Sequence, residues 1–251
     1  MIRIAASPEL LWALAIYAVA IPLEAVIGTG HQVPWPERLG NLAAMLIHFL
    51  VGGALLFLVL ANPIGVRLLQ YPDQPRWEVL ANPFVWAIAM VFIVDGLFYV
   101  YHRLQHRSAL LWHIHKLHHT EPALNITTSR RTHCLERPAQ FLVLVLPALW
   151  ILGYHPDGLV YAAYAGTFFL FFAHLNVRLP LGPLTPVIVG PQLHRIHHSA
   201  EQAHHDKNFA QAFPLFDILG GTYYRPGSGE YPATGLAECQ TVRHRWQPLV
   251  W

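Results

Sequence analysis

Eight histidines in this 251-residue chain fall into three groups with the spacing of metal ligands. His102 and His106 stand four residues apart, His115, His118 and His119 follow at i, i+3, i+4, and the same offsets recur at His194, His197 and His198. On a helix these offsets put side chains on one face, about 5–6 Å apart at Cβ. Three short helical pieces are therefore expected to present two, three and three converging imidazoles. Eight nitrogen ligands are too many for one ion, because a catalytic zinc takes three protein ligands and a structural zinc four. They fit two ions with coordination positions left open. Imidazole by itself does not choose among Fe, Zn, Cu and Ni. The two cysteines, Cys134 and Cys239, form no CxxC pair, which argues against copper(I) and iron–sulfur clusters. No carboxylate array suits Mg or Ca. Iron and zinc remain.

Four further residues stand close to this set in sequence or in character. His174 ends an apolar run at the depth where the site should lie, and is a candidate ligand. His204, two residues before Asp206, is another. His133 is expected either to ligate, to orient a ligand or to pair with Glu136. Asp95 is an acid inside an apolar stretch, costly there unless partnered. It stands seven residues before His102, so a carboxylate that grips a ligand imidazole is its expected role, with an ion pair to a nearby Arg as the other reading. His31, His48, His155 and His244 read as surface or core residues, and His113 and His205 fall off the ligand faces.

The elements that must position these residues are apolar helices. Hydrophobic residues make up 54% of the chain and charged residues 12%, against the roughly 25% charged share of a soluble domain. The formal net charge of +2, with no basic run, argues against a nucleic-acid partner. Leu10–Gly28, Leu42–Ala61 and Phe84–Tyr101 are long enough to cross a bilayer, which takes about 17–25 residues. Ala139–Gly153 and Gly158–Ala173 are shorter and read as a hairpin, turned at residues 154–157, that either crosses or dips in. The fold class expected is all-α, a multi-pass bundle of about 4–5 spans or half-spans with a histidine-rich helical cap. Lys and Arg concentrate in 102–138 and after residue 174, which places both histidine clusters on the cytosolic side.

At these positions the chain resembles a known family. The run from Asp95 to His102-Arg103-Leu104-Gln105-His106, then Trp112-His113-Ile114-His115-Lys116-Leu117-His118-His119, then His194-Arg195-Ile196-His197-His198-Ser199 resembles the fatty acid hydroxylase superfamily, which includes the sterol desaturases. Its signature is HxxxH, HxxHH and HxxHH. Arg131-Thr132-His133, His174-Leu175-Asn176, Asp206-Lys207-Asn208-Phe209 and the closing Phe216-Asp217 to Thr222-Tyr223 also match. One departure is Cys134, where a proline usually follows the Arg-x-His motif. The resemblance covers 84–226 as a catalytic domain, after a region of two spans (1–83) and before a tail (227–251).

The resemblance implies a di-iron membrane oxygenase that uses O₂ and two electrons to hydroxylate or desaturate a lipid. It also implies supporting roles around the ligands for Asn176, Asp206 and Asn208. The residues agree with that chemistry, since neutral imidazoles hold iron through several oxidation states and an adjoining apolar hairpin can deliver a lipid. No side chain is needed as nucleophile. The chain shows no GxGxxG, no cysteine set and no His-Pro-Gly-Gly, so an external donor is expected, a ferredoxin or a cytochrome b5 with its reductase. The competing classes are a zinc-dependent hydrolase, which would expect a carboxylate inside a box, and a metal transporter, which would place its ligands near the bilayer midplane. The C-terminal residues carry no KDEL-type signal, which fits a bacterial inner membrane better than the ER.

Overall fold

The structure is a computed structural model that describes residues 8–28 and 33–236. His31, Cys239 and His244, and the end of the expected tail, lie outside the described residues. The described residues are helical, with no strand among them and only an isolated bridge between Ser199 and Thr234. In chain order the helices are α1 (Pro8–Ile27), α2 (Trp35–Ala61), α3 (Pro63–Leu68), α4 (Pro83–Arg107), α5 (Ala109–His119), α6 (Glu136–Gln140), α7 (Leu146–Leu152), α8 (Pro156–Ala173), α9 (Pro191–His197) and α10 (Leu215–Gly220). Helices α2 and α4 are long and apolar enough to cross a membrane.

Local sequence explains the boundaries that matter for the histidines. Asn82 accepts from the N–H groups of Phe84 (3.0 Å) and Val85 (3.2 Å), and Pro83 occupies the first helical position, where its missing N–H costs nothing. Helix α4 does not stop at Tyr101. It runs on to Arg107 and so carries His102 and His106 on the same rod as Asp95. The first pair of histidines therefore belongs to a long helix, not to a separate short piece. Ser108 closes α4 through its N–H to the carbonyl of Leu104 (2.9 Å), then caps α5 by accepting from Leu111 N–H (3.5 Å). A single residue thus turns the chain so that α5 starts at once, with its own histidines near those of α4.

The stretch read as Ala139–Gly153 is not one rod. It divides into α6, a π-helical turn over Phe141–Val145, and α7. Gly153, at φ +76°, ends α7 in a conformation that glycine adopts without strain. Trp86, Met90, Leu149, Leu152 and Ala162 form a core between α4, α7 and α8. Tyr17, Met45, Phe49, Ile126 and Phe171 form a second core that joins α1, α2 and α8.

Under that second core lies a buried polar layer that ties α1 and α2 to the site. Glu24 pairs with Arg38 (2.9 Å) and accepts from the N–H groups of Ile126 (2.7 Å) and Asn176 (2.8 Å). Asn41 donates to Glu121 (3.0 Å) and Thr127 (3.0 Å), and accepts from Arg131 (2.8 Å). Arg131 also donates to Thr120 Oγ1 (2.8 Å) and to the carbonyl of Leu117 (3.1 Å). That last bond grips the end of α5 beside His118 and His119. Buried charges need such partners, because an unmatched one is costly away from water.

Candidate metal centre

Nine imidazoles come together in two neighbouring groups. His102, His106, His115, His119 and His197 each offer a nitrogen within 4.8 Å of every other in one group, and His118, His174, His194 and His198 do so in the second. All eight histidines of the three spaced sets are included, and His174 joins them from the C-terminal end of α8.

The partition follows from helical geometry. Successive residues on a helix diverge by about 100°, whereas i and i+4 nearly eclipse. His102 and His106 therefore stay together, as do His115 with His119 and His194 with His198. The i+3 residue of each later set crosses to the other group: His118 leaves His115 and His119, and His197 leaves His194 and His198. Each adjacent histidine pair is thus split between the groups, which binds α5 and α9 to both.

The donor atoms suit a cation. His102 Nδ1 lies 2.7 Å from the carbonyl of Phe209, His197 Nδ1 lies 2.9 Å from that of Lys207, and His174 Nδ1 lies 2.7 Å from that of Leu170. A carbonyl only accepts, so these Nδ1 atoms carry the proton and each neutral ring leaves Nε2 bare. His115 Nδ1 donates in the same way to Glu136 Oε1 (3.3 Å). The bare Nε2 atoms of His102 and His115 then face each other at 3.0 Å, and two acceptors cannot hydrogen-bond. In the second group His174 Nε2 lies 3.2 Å from His118 Nε2 and 3.1 Å from His194 Nε2. Metal–nitrogen bonds of about 2.0–2.1 Å at cis angles near 90–110° put neighbouring donors about 2.8–3.4 Å apart. Among the described residues the buried Nε2 atoms of His106 and His197 meet no hydrogen-bond partner, as donors kept for an ion would. The residues present fit two metal ions.

Electrostatics agrees. Burial, reinforced by neighbouring imidazoles, holds His118, His119, His194 and His198 well below the ordinary histidine pKa. Burial brings His197 down to about 3, against the carbonyl of Lys207. These rings stay neutral at physiological pH, the state in which imidazole ligates.

The carboxylates are placed differently from expectation. Among the described residues Asp95 grips no imidazole and no Arg. Its Oδ1 accepts from the N–H groups of Gln211 (2.8 Å) and Ala212 (3.1 Å), and its Oδ2 from that of Phe213 (2.7 Å). The expected role falls instead to Glu136, which holds His115 and also accepts from Gln105 (2.5 Å), Gln140 (3.1 Å) and Tyr101 (3.3 Å). Burial alone would raise the Glu136 pKa, but the bonds from His115, Gln105 and Gln140 outweigh it and hold the carboxyl below its usual range. His133 is not in either group, and its Nδ1 accepts from Leu135 N–H (3.2 Å).

His204 is outside both groups as well. Its Nδ1 bonds Ser199 Oγ (2.8 Å) and its Nε2 bonds Glu230 (2.9 Å), so both ring nitrogens are engaged. Asn176 accepts from Arg195 at 3.5 Å and donates its N–H to Glu24. Asp206 sits at the rim, its side chain 63% exposed and 4.0 Å from His106 Nδ1. Asp206 and Asn208 both take left-handed backbone, at φ +59° and +57°, a conformation Asp and Asn tolerate better than most residues. Asn208 spends its side chain on the backbone of Leu193 and Tyr224. These residues shape the loop beside the site. Sequence reasoning missed the carbonyls of Phe209 and Lys207, since a backbone acceptor leaves no mark in residue type. It also assigned no role to Trp112, whose ring lies tilted against His106 (5.0 Å) and His119 (5.4 Å).

Comparison with known proteins gives a match to the fatty acid hydroxylase family over residues 87–222. The chain is 26% identical over 246 residues to the ornithine lipid hydroxylase OlsE of Rhizobium tropici, covering 90% of this chain and 72% of that protein. It is 29% identical over 144 residues to human alkylglycerol monooxygenase, covering 57% of this chain and 31% of that protein. It is 32% identical over 158 residues to the very-long-chain aldehyde decarbonylase GL1-1 of Oryza sativa subsp. indica, covering 59% and 25%. The chain thus spans most of the first relative but a third or less of the other two. No solved structure matches.

Proposed function

The chain belongs to the fatty acid hydroxylase family and is an oxidoreductase, and from that premise we propose a membrane-bound, O₂-dependent di-iron hydroxylase of a polar membrane lipid. The observation that carries this reading is the pair of imidazole groups whose Nε2 atoms converge at 3.0–3.2 Å. When bound, two irons supply the activation of O₂ that lets oxygen enter an unactivated C–H bond. His102, His106, His115, His119 and His197 would hold one ion, and His118, His174, His194 and His198 the other.

The chain's own residues do the rest. Glu136 keeps His115 in the tautomer that presents Nε2, and the carbonyls of Phe209 and Lys207 do the same for His102 and His197. Arg131 and Asn41 fix the end of α5, so His118 and His119 keep their opposed directions. The metal groups stand at the end of α4, which we read as a membrane span, so a lipid chain can reach them without passing through water. Electrons come from a separate carrier protein. The site faces the cytosol, as the distribution of Lys and Arg argues. An ornithine lipid or another lipid with a polar head and a long chain is the favoured substrate class, supported by the relative that pairs with most of the chain.

The test is expression in a host that makes ornithine lipid, with and without the protein, followed by lipid mass spectrometry and iron analysis of the purified chain. A lipid gaining one oxygen, with about two irons per chain, is expected. Two zincs that persist in iron-replete medium with full activity would overturn the reading.

A further inference from the structure

Residues 207–213 follow the left-handed turn at Asp206 and Asn208 and lead into α10 without forming a helix. They and α10 lie along α4. The ring of Phe213 packs on Phe92 (5.9 Å) and Phe169 (5.7 Å), and Phe216 packs on Phe92 (5.1 Å). Phe216 also fills the space a side chain at Gly96 would need, with its ring 2.9 Å from an added Cβ. An irregular backbone at this depth, beside a helix read as a membrane span, must have its polar groups satisfied inside the protein.

Two carboxylates do that for five consecutive N–H groups. Phe209 N–H donates to Asp217 Oδ1 (2.7 Å) and Ala210 N–H to Asp217 Oδ2 (2.9 Å). Gln211, Ala212 and Phe213 donate to Asp95, at 2.8, 3.1 and 2.7 Å. Both acids are buried, at 3% and 0% exposure. Two carbonyls at the start of residues 207–213 face histidines, with Lys207 accepting from His197 and Phe209 from His102. Both of those histidines belong to the five-histidine group. Among the described residues no carbonyl of 207–213 accepts from an imidazole of the four-histidine group, and His174 donates to Leu170 in the helix that it ends.

We propose that Asp95 and Asp217 act together as a clamp on the backbone of residues 209–213, positioning the carbonyls that orient His102 and His197 and so tuning only the five-histidine metal site. The inference rests on the reading of the two histidine groups as metal sites. The two acids are positioning residues and touch no reacting atom. Without the negative charge the N–H groups lose strong acceptors, the segment relaxes, and the two imidazoles lose their fixed tautomer. Outer-shell losses of this kind cost about 10–100-fold in metal affinity.

Two measurements on the full-length chain test it. The first is hydrogen exchange of the metal-free protein, read on peptides spanning 207–216. Asp217→Asn should speed exchange at Phe209 and Ala210, and Asp95→Asn at 211–213. The second is anaerobic cobalt(II) titration in two single-site backgrounds. With His174→Ala and His194→Ala only the five-histidine group remains, and either Asp variant should weaken cobalt binding about 10–100-fold. With His102→Ala and His197→Ala only the four-histidine group remains, and the same variants should change affinity less than about twofold. Equal weakening in both backgrounds would reduce the acids to general structural supports and overturn the proposal. Unchanged exchange, or unchanged affinity in the first background, would overturn it too. The two Asp variants are independent, so one that fails to accumulate leaves the other to decide. If neither background binds cobalt, the metal reading falls, while the exchange result still decides whether the clamp exists.

Discussion

Glu136 offers a quantitative test of how the outer contacts serve the centre. Its carboxylate is 1% exposed and meets four donors and no acceptor: Gln105 and His115 at Oε1, and Gln140 and Tyr101 at Oε2. A carboxylate suits this arrangement because both of its oxygens only accept. In Glu136→Gln the amide oxygen can keep His115, while the new NH₂ faces Gln140 and Tyr101. Tyr101 can rotate its hydroxyl and Gln140 can turn its amide, so the main loss at His115 is charge assistance. Hydrogen bonds to charged groups contribute about 1.5–3 kcal/mol against about 1 for neutral ones, so roughly 0.5–2 kcal/mol is lost, or about 2–30-fold in affinity. Glu136→Ala removes the acceptor altogether and should cost about 10–100-fold.

The assay is metal titration of both variants beside wild type, with a melting curve to monitor folding. The expected order is wild type, then Gln, then Ala, with the five-histidine site losing its ion first. Wild-type affinity in a folded Glu136→Ala protein would show that the carboxylate does not orient His115. A Gln variant weaker than Ala would show that repulsion around the new NH₂ matters more than the lost acceptor.

Three further outcomes follow from the same geometry. His174→Ala should lose about one metal ion per chain, as a variant of His194 or His198 would, while His204→Ala should keep both by elemental analysis; a His204 variant that loses metal would contradict the bonds to Ser199 and Glu230. Metal-free protein should lose stability as pH falls below about 6.5, because the unfolded chain then takes up protons that the buried native rings refuse, down to about 3 for His197, at about 1.4 kcal/mol per pH unit for each such histidine. Chelator-treated samples melted at pH 7.5 and 5.5 check the sign, and equal midpoints would refute it. Arg131→Met should destabilise the protein by about 3–5 kcal/mol, because Glu121 is left buried with Asn41 as its remaining side-chain donor; a near-normal melting midpoint would show the layer to be dispensable.

The sequence carried the ligands well because metal coordination imposes residue type and spacing at once. Histidine at i, i+3, i+4 occurs twice, and the structure gathers every member of both sets with His102 and His106. The swap between the groups was also within reach, since an i, i+4 pair stays on one side of a helix while the i+3 residue diverges from its neighbour at i+4. His174 belongs to no spaced set, and its signals were its place at the end of an apolar run and the family match of His174-Leu175-Asn176. The apolar helices were legible in outline, yet α4 extends past Tyr101 because Ser108, and not the onset of polar residues, ends it. The break in 139–152 was invisible, since a π turn over Phe-Leu-Val-Leu-Val leaves the composition of an ordinary helix.

Asp95 shows where residue-level reasoning stops. A buried acid must find partners, and a ligand imidazole was the natural expectation. His102 itself is out of reach, because two turns of rise separate the side chains by about 10 Å, so the imidazole was expected from another histidine set. The partners are backbone N–H groups 116–118 residues away in the chain, which no side-chain pattern advertises. The acid still bears on the centre, through Gln211–Phe213, the adjoining Phe209 carbonyl and His102. Ligands are selected for their own chemistry and so are written in the sequence. The contacts that aim them are satisfied by whatever oxygen the fold supplies, a carboxylate at His115, a carbonyl at His102 and His197, and are written only in the fold.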